Sequence, residues 1–185
     1  MGLSAFVTSV RATPVCPGSA TPAAFEELPS SLHQEYHAGN FWQDIEQIRV
    51  TLALYPLSID GKNFETFDSI FTEDAVLNYT APLNVMRGLP NIKATIKESL
   101  ANLTTLHHYG TQVIEALSPN TARAVTYVIA NHFAISDLSR VAYAYGQFQD
   151  YLVKLPAGDW KICARAMAFN GPIIGDSSIL PISLP

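Results

Sequence analysis

The sequence predicts an α+β fold, in which helices come first and a curved, mostly antiparallel sheet follows. Apolar residues recur at helical spacing in the first half of the chain, and they alternate with a period of two from His107 onward. The two kinds of element do not interleave as they do in a parallel α/β fold. The 185 residues are 48% hydrophobic and 15% charged, which suits one compact domain with a substantial core.

Three helices are predicted before the main sheet. The first begins near Phe41, and Pro56 is expected to end or kink it. The second is short and follows the turn-prone residues 60–63, and the third follows Gly88 with Pro90 in its first turn. Their apolar stripes are, in order, Phe41, Ile45, Ile48, Leu52 and Tyr55; Phe64, Phe67, Ile70 and Phe71; and Ile92, Ile96, Leu100 and Leu103.

One strand is predicted at residues 75–80, between the second and third helices. Alternation predicts further strands at about 107–117, 122–135, 141–154 and 159–170. Turn residues separate them at Ser118-Pro119-Asn120 and at Leu155-Pro156-Ala157-Gly158-Asp159. The order of elements is therefore helix, helix, strand, helix and then successive strands.

Both ends of the chain differ from this central region. Residues 1–40 are predicted to be a flexible N-terminal extension, because they are rich in proline and lack apolar periodicity. Residues 41–175 form the domain, and residues 176–185 form an apolar C-terminal tail that is expected to pack against something. A homo-oligomer, dimer or trimer, is expected, and the extension could strap a neighbouring subunit.

Charge and cysteine content exclude several classes of function. The net charge is −5 without a Lys/Arg run, so no nucleic acid partner is expected. No apolar stretch approaches the roughly 20 residues needed to span a bilayer, and no signal peptide is recognised, so no membrane partner and a cytoplasmic location are predicted. Cys16 and Cys163 offer no disulfide framework and no metal-type motif, which indicates a reducing compartment.

Two histidines are the first candidates for chemistry. Alternation places His107 and Tyr109 on one face of their strand and His108 on the other. On the next strand, His132 shares its face with small residues, which would leave room for a ligand. On the following strand, Tyr143, Tyr145 and Gln147 share a polar face, and alternation alone does not say which side of that strand meets a pocket.

Five segments together resemble the scytalone dehydratase-like branch of the SnoaL-like/NTF2-like superfamily, over about residues 41–175. That resemblance implies a cone in which the curved sheet and the N-terminal helices enclose a deep pocket. It also implies that the C-terminal tail closes the pocket mouth, with subunit packing as the alternative. The segments are Tyr55 through Asp60, Phe71 through Tyr79, Thr105 through Gly110, Ala130-Asn131-His132 and Gly158 through Ile162.

The resemblance assigns a role to four polar residues. Asp60 matches the family's aspartate at the end of the first helix, and His132 matches the histidine that pairs with it as the base. Tyr79 matches a tyrosine that polarises the substrate carbonyl. His107, in the T-x-H pattern, would serve the leaving hydroxyl or act as a supporting donor. Further candidates for the pocket wall are Tyr109, Tyr143, Tyr145, Gln147, Met167 and Asn170.

Departures from the family pattern point to a different substrate. Ile59 stands where the dehydratase has a second tyrosine, and Tyr145 and Gln147 stand where it has a serine and an asparagine. The expected function is a lyase, a dehydratase that needs no cofactor and no metal and acts on a small polyketide- or terpenoid-derived molecule. An isomerase or cyclase using the same residues and a noncatalytic binding module remain open, and so does a metalloenzyme with His107, His132 and Asp60 as ligands.

Overall fold

The computed structural model describes residues 14–32, 41–79 and 83–180, and these residues form an α+β fold with a curved sheet, as predicted. The helices in this part of the chain are α1 (Leu28–Ser31), α2 (Trp42–Asp60), α3 (Phe67–Ile70) and α4 (Leu89–Ser99), with short 3-10 helices at Phe25–Glu27, Phe64–Thr66 and Ser177–Ile179. The strands are β1 (Phe71–Asn78), β2 (Val85–Arg87), β3 (Leu103–Ser118), β4 (Thr121–Ala134), β5 (Asp137–Lys154), β6 (Trp160–Phe169) and β7 (Ile174–Gly175).

The sheet runs in the order β2-β1-β6-β5-β4-β3, and β7 pairs with β5 beside this path. Only the contact of β1 with β6 is parallel among these pairings. The four long strands β3 to β6 follow one another as antiparallel hairpins, as their alternation predicted. The short strands β2 and β7 were not predicted from the sequence.

Helix α2 runs through Pro56 and ends at Asp60, so of the two outcomes expected at Pro56, an end or a kink, the helix does not end there. A proline inside a helix costs roughly 3 kcal/mol. Leu52, Tyr55 and Ile59, on both sides of the proline, are at most 2% exposed, and their burial outweighs that cost. The helix therefore carries Asp60 one turn beyond the proline.

The N-terminal half of α2 is fixed to the sheet by polar contacts. Asp44 Oδ1 accepts hydrogen bonds from Trp160 Nε1 at 2.8 Å and from Lys154 Nζ at 2.6 Å. The Thr51 hydroxyl donates to the Trp160 carbonyl at 3.0 Å. Because these contacts hold the helix against β5 and β6, they also set the position of Asp60 at its other end.

Residues 14–32 lie along the outer face of the sheet, and we call them the strap. Cys16 is joined to Cys163 on β6 by a disulfide, so the expectation that the cysteines form none is wrong. The Gln149 side chain exchanges two hydrogen bonds with the Ala23 backbone, at 2.7 and 3.0 Å, and Arg123 donates to the Ser31 carbonyl. Disulfides form in oxidising surroundings, which counts against the predicted reducing compartment.

Several predicted features fall partly on residues that lie outside the described ranges. Of the predicted extension at 1–40, residues 1–13 and 33–40 lie there; so do Thr80 and, in the predicted tail, residues 181–185. The described part of the tail contains the 3-10 helix Ser177–Ile179 and the buried Leu180. Across the described residues, no helix combines the length and the hydropathy that crossing a membrane requires.

Candidate active site

A cavity of about 110 Å³ lies between the inner face of the sheet and the helices α2 and α4. Its wall is mainly apolar, and Val128 and Ala130 contribute to it from β4, on the face that the sequence analysis predicted to leave room beside His132. Ile173 and Leu180, from the C-terminal segment, also line it. The polar side chains in the wall are Tyr55, Tyr79, Ser99, His107 and His132.

His107, in this wall, is tightly bonded to Asp60 behind it. His107 Nδ1 lies 2.7 Å from Asp60 Oδ1, and the His107 backbone amide donates to Oδ2 at 2.9 Å. The Thr105 hydroxyl donates to Oδ1 at 2.8 Å. Burial raises the pKa of Asp60, but the hydrogen bonds from His107 and Thr105 outweigh it and leave the pKa below its usual value. The ionised carboxylate therefore holds the proton of His107 on Nδ1 and leaves Nε2 for a ligand.

Local structure explains why these three groups meet. Asp60 is the last residue of α2, where the helix passes over β3. Thr105 and His107 are two residues apart on β3 and therefore share a face. Thr105 had no predicted role, although the T-x-H spacing that singled out His107 contained the signal.

His132 does not have the partner that the sequence analysis predicted, since the Asp60 carboxylate is bonded to His107 instead. His132 stands opposite Thr105 on β4, one strand spacing further from the end of α2. Its ring centroid is 5.7 Å from that of His107. Alternation separated His107 from His108 and placed His132 on the face of the small residues, but it does not measure the distance from each strand to a helix.

The environment of His132 favours its neutral form. Burial, with smaller effects from the charges of His107 and Lys62, lowers the pKa of His132 to about 4. Its Nδ1 atom is buried and has no hydrogen-bond partner in the part of the chain that the structure describes. The cavity therefore contains a neutral imidazole beside the Asp60–His107 pair.

Tyr79 and Tyr55 meet in the wall of the cavity, and the Tyr79 hydroxyl donates to the Tyr55 hydroxyl at 2.8 Å. In the sequence, Tyr55 belongs to an apolar stripe and begins the segment Tyr55 through Asp60, in which Ile59 replaces the family's second tyrosine. Tyr55 precedes Ile59 by four residues, so the two lie on the same face of α2. Helical spacing was thus the signal that could have identified Tyr55 as a second hydroxyl donor.

The remaining candidates divide into two groups. Met167 lines the cavity, and Tyr109 points inward from β3 with its ring centroid 6.0 Å from that of Phe148. Ala144 and Phe148 of β5 line the cavity, so alternate residues of that strand face away from it. The predictions that place Tyr143, Tyr145, Gln147 and Asn170 in the pocket wall are therefore wrong.

Those four residues lie on or near the outer face of the sheet. Gln147 and Asn170 line a groove that the sheet forms with residues 22–25 of the strap. The Asn170 backbone amide donates to the Tyr145 carbonyl at 2.8 Å. Which face of β5 meets the cavity depends on the packing of α2 and α4 against the sheet, and alternation carries no information about that packing.

Asp60, His107 and His132 do not form a metal-type site in this structure. Among residues 14–32, 41–79 and 83–180, no three His, Cys, Asp or Glu side chains converge in a way that could hold a metal ion. The bonding of His107 to Asp60 occupies two of the three groups that the facial triad would need.

Comparison with known proteins identifies both a family and structural neighbours. The SnoaL-like domain family matches residues 42–166. An uncharacterized protein of Mycobacterium tuberculosis strain H37Rv is 25% identical over 119 residues, which span 64% of this chain and 80% of that protein.

Solved structures share the fold. A Novosphingobium aromaticivorans protein that carries the provisional name of scytalone dehydratase superposes with a TM-score of 0.64 and 24% identity, over 72% of this chain and 88% of its own. The hexachlorocyclohexane dehydrochlorinase LinA, type 2, gives a TM-score of 0.65 and 12% identity, over 72% and 89%. ActVI-ORFA of Streptomyces coelicolor superposes with a TM-score of 0.58 and 15% identity, over 68% of this chain and 96% of its own.

Proposed function

This chain belongs to the SnoaL-like domain family, within the SnoaL/NTF2-like superfamily, and from that premise we propose that it is an enzyme that moves a proton next to a carbonyl group of a small molecule. The observation that carries the proposal is the Asp60–His107 pair, which places a carboxylate-held imidazole in the wall of an apolar cavity. Such a pair is an effective general base.

His107 is the base in this proposal. Because Asp60 holds Nδ1, the opposite nitrogen, Nε2, removes the proton from the carbon beside the carbonyl. The imidazolium that forms is stabilised by the Asp60 carboxylate at 2.7 Å. This assignment replaces His132, which the family pattern suggested, because His132 lacks the carboxylate.

The Tyr55–Tyr79 pair supplies the group that binds the carbonyl oxygen. Removal of the proton puts negative charge on that oxygen, and a hydroxyl aimed at it stabilises the charge. The Tyr79 hydroxyl donates its hydrogen bond to the Tyr55 hydroxyl, which leaves the hydrogen of the Tyr55 hydroxyl free to bond the carbonyl oxygen. Hydrogen bonds in such a chain strengthen one another.

His132 is suited to the group that leaves. Its neutral ring lines the cavity beside His107, so the ring can hydrogen-bond a hydroxyl on the neighbouring carbon. Loss of that hydroxyl as water would complete a dehydration. His107, now protonated, can return its proton to the departing oxygen.

Dehydration of a polyketide- or terpenoid-derived ketone is the reaction that we propose. The mainly apolar wall suits a hydrophobic ring system, and the Asp60–His107 and Tyr55–Tyr79 pairs supply a base and a carbonyl donor without a cofactor. The names of the neighbours, a dehydratase and a dehydrochlorinase, support an elimination. Isomerisation or cyclisation begins with the same proton removal and is the alternative outcome of the same site.

A homo-oligomer is proposed on separate grounds. Ile129 and Tyr145 are direct neighbours on the outer face of the sheet and are 42% and 38% exposed. Apolar groups of this size on a sheet face are typical of a contact surface. Sedimentation analysis of the purified chain, with Ile129→Ser as the test variant, would measure whether that surface joins subunits.

The experiment that tests the enzyme is proton exchange in D₂O. α-Tetralone and a β-hydroxytetralone serve as probes, and proton NMR follows exchange beside the carbonyl while absorbance follows loss of water. We expect the native chain to accelerate exchange and Asp60→Asn to abolish the acceleration. If the probes bind in the cavity but exchange no faster than with Asp60→Asn, the protein is a noncatalytic binding module.

A further inference from the structure

A buried ion pair lies directly behind the Tyr55–Tyr79 pair. Arg165 on β6 donates from Nε to Asp150 Oδ1 at 2.6 Å and from Nη2 to Oδ2 at 3.0 Å. Both side chains are 0% exposed. The two residues are direct neighbours across β5 and β6, on the face of the sheet that lines the cavity.

The guanidinium group is in contact with aromatic rings of the site. Its central carbon lies 4.5 Å from the ring centroid of Tyr55 and 4.1 Å from that of Phe148, and both rings line the cavity. Phe148 also packs against Tyr79, with ring centroids 5.7 Å apart. One layer of aromatic rings therefore separates the positive charge from the cavity.

That charge acts on the tyrosine hydroxyls. Burial raises the pKa of Tyr55, Tyr79 and Tyr109, and the charge of Arg165 opposes this rise in all three. Asp150 acts on Tyr79 in the opposite direction, and its effect is smaller than that of Arg165.

Packing alone does not account for this arrangement. A buried ion pair contributes little net stability, because desolvation offsets most of the attraction between its charges. Hydrogen bonding by Arg165, in addition to its charge, lowers the pKa of Tyr79 and of Tyr109. The guanidinium is therefore directed at the tyrosine hydroxyls of the site.

We propose that Arg165, held by Asp150, is a positioning residue that strengthens the Tyr55–Tyr79 pair as a hydrogen-bond donor to a developing enolate oxygen. The bidentate contact fixes the guanidinium plane, and the contact with the Tyr55 ring fixes that ring in turn. The positive charge lowers the cost of negative charge moving onto the hydroxyls. Arg165 touches no substrate in this arrangement.

The same arrangement indicates the charge of the ligand. Asp150 neutralises Arg165, so the floor of the cavity carries no net positive charge for a bound carboxylate or phosphate. The site therefore favours a ligand group that is neutral when it binds and becomes negative during the reaction. A ketone that is converted to its enolate is such a group. This inference about ligand class depends on the proposed function; the effect of Arg165 on the tyrosines does not.

The direct test is titration of the Tyr79 phenol in the unliganded protein. Trifluorotyrosine, whose phenol is more acidic than that of tyrosine, is incorporated at position 79 and followed by fluorine NMR. In the variant with Arg165→Met and Asp150→Leu, which removes both charges, we expect the phenol pKa to rise by about half a unit or more. If the substitutions merely loosened the site, water would enter and lower the pKa of the phenol. A rise in that pKa therefore distinguishes loss of the positive charge from structural damage.

A matched control removes an ion pair away from the cavity. Arg123 and Glu115 lie 2.8 Å apart on β4 and β3, and Arg123→Met with Glu115→Leu should leave the phenol titration unchanged. If the apolar Arg165 and Asp150 variant does not fold, Arg165→Gln with Asp150→Asn provides a neutral polar pair, and the same rise is expected. An unchanged or lowered phenol pKa in the folded variant would make Arg165 a packing residue and overturn the proposal.

Kinetics with the β-hydroxytetralone then separate this inference from the proposed function. Loss of Arg165 should lower kcat by roughly 10- to 100-fold with little change in KM, and Arg165→Lys should restore part of kcat. If the phenol titration shifts as expected but the native chain turns over no ketone, the proposed function fails and the link from Arg165 to the tyrosines stands. A rise in KM without a fall in kcat would contradict the inference.

Discussion

His107 contacts Asp60 twice: its Nδ1 atom lies 2.7 Å from Oδ1, and its backbone amide donates to Oδ2 at 2.9 Å. A ring that is bonded to the same carboxylate as its own backbone cannot rotate without losing a charge-assisted hydrogen bond. The two residues are therefore expected to act as one unit.

Asp60→Asn and His107→Gln should each lower turnover by roughly 10²- to 10⁴-fold, the range for loss of a general base. The double variant should be scarcely slower than either single variant, since removal of one member already disables the other. Turnover of the β-hydroxytetralone measures this, because its dehydration uses both the base and the residue that binds the leaving hydroxyl. His132→Gln provides the contrast, because its loss of turnover should multiply with the loss caused by Asp60→Asn. If the losses caused by Asp60→Asn and His107→Gln also multiply, the two residues do not act as one unit.

Tyr55→Phe and Tyr79→Phe should each lower kcat by roughly 10²-fold while KM changes less, because each breaks the hydroxyl chain to the developing enolate. Steady-state kinetics with the β-hydroxytetralone give both constants. Tyr143→Phe, on the outer face of β5, serves as the matched control and should behave like the native chain. Equal activity of Tyr55→Phe and the native chain would leave Tyr79 as the sole carbonyl donor.

The free energy of unfolding should decrease as the pH is lowered through a window set by His132. Its pKa is lowered to about 4 in the folded chain, against 6.5 ordinarily, so between these values the unfolded chain binds more protons. The free energy of unfolding therefore has its full value above pH 6.5 and declines toward pH 4, by as much as about 3 kcal/mol. Urea unfolding measures it.

His132→Gln should flatten that pH dependence, whereas His108→Gln, at an exposed position on β3, should keep it. If the slopes of the native chain and of His132→Gln coincide between pH 4 and 6.5, another group controls the acid sensitivity.

Loss of the disulfide should weaken the strap and lower the stability of the whole chain. Cys16 and Cys163 are 147 residues apart, and closing a loop of this size restricts the unfolded chain. Cys16→Ser with Cys163→Ser should cost about 2–4 kcal/mol in urea unfolding. Under reducing conditions, the double variant and the native chain should have the same free energy of unfolding. Equal stability of the oxidised and reduced native chain would contradict this account.

The C-terminal segment should control access to the cavity. Leu180 is 7% exposed and lines the cavity together with Ile173, so Leu180→Ala should open the wall and raise the dissociation constant for tetralone. Ile174→Ala is the control, because Ile174 belongs to the same segment and is 54% exposed. Tryptophan fluorescence or calorimetric titration gives the dissociation constants. If both variants raise the constant equally, the segment supports the fold in general and does not control access to the cavity.

The sequence by itself determined the elements and some of the inward faces. Helical spacing located α2 and α4, alternation located β3 to β6 and separated the face of His107 from that of His108, and the family pattern selected His107 and His132, which line the cavity. These features depend on the repeat of a helix or a strand, which neighbouring residues display directly.

Only the tertiary structure decided which residues are partners. The end of α2 lies over β3, so Asp60 bonds to His107 and not to His132. The helices cover the face of β5 that carries Phe148, so Tyr145 and Gln147 point away from the cavity, and the strap brings Cys16 to Cys163. Distances between elements that are far apart in the chain are set by how layers pack, and local periodicity contains no record of that packing.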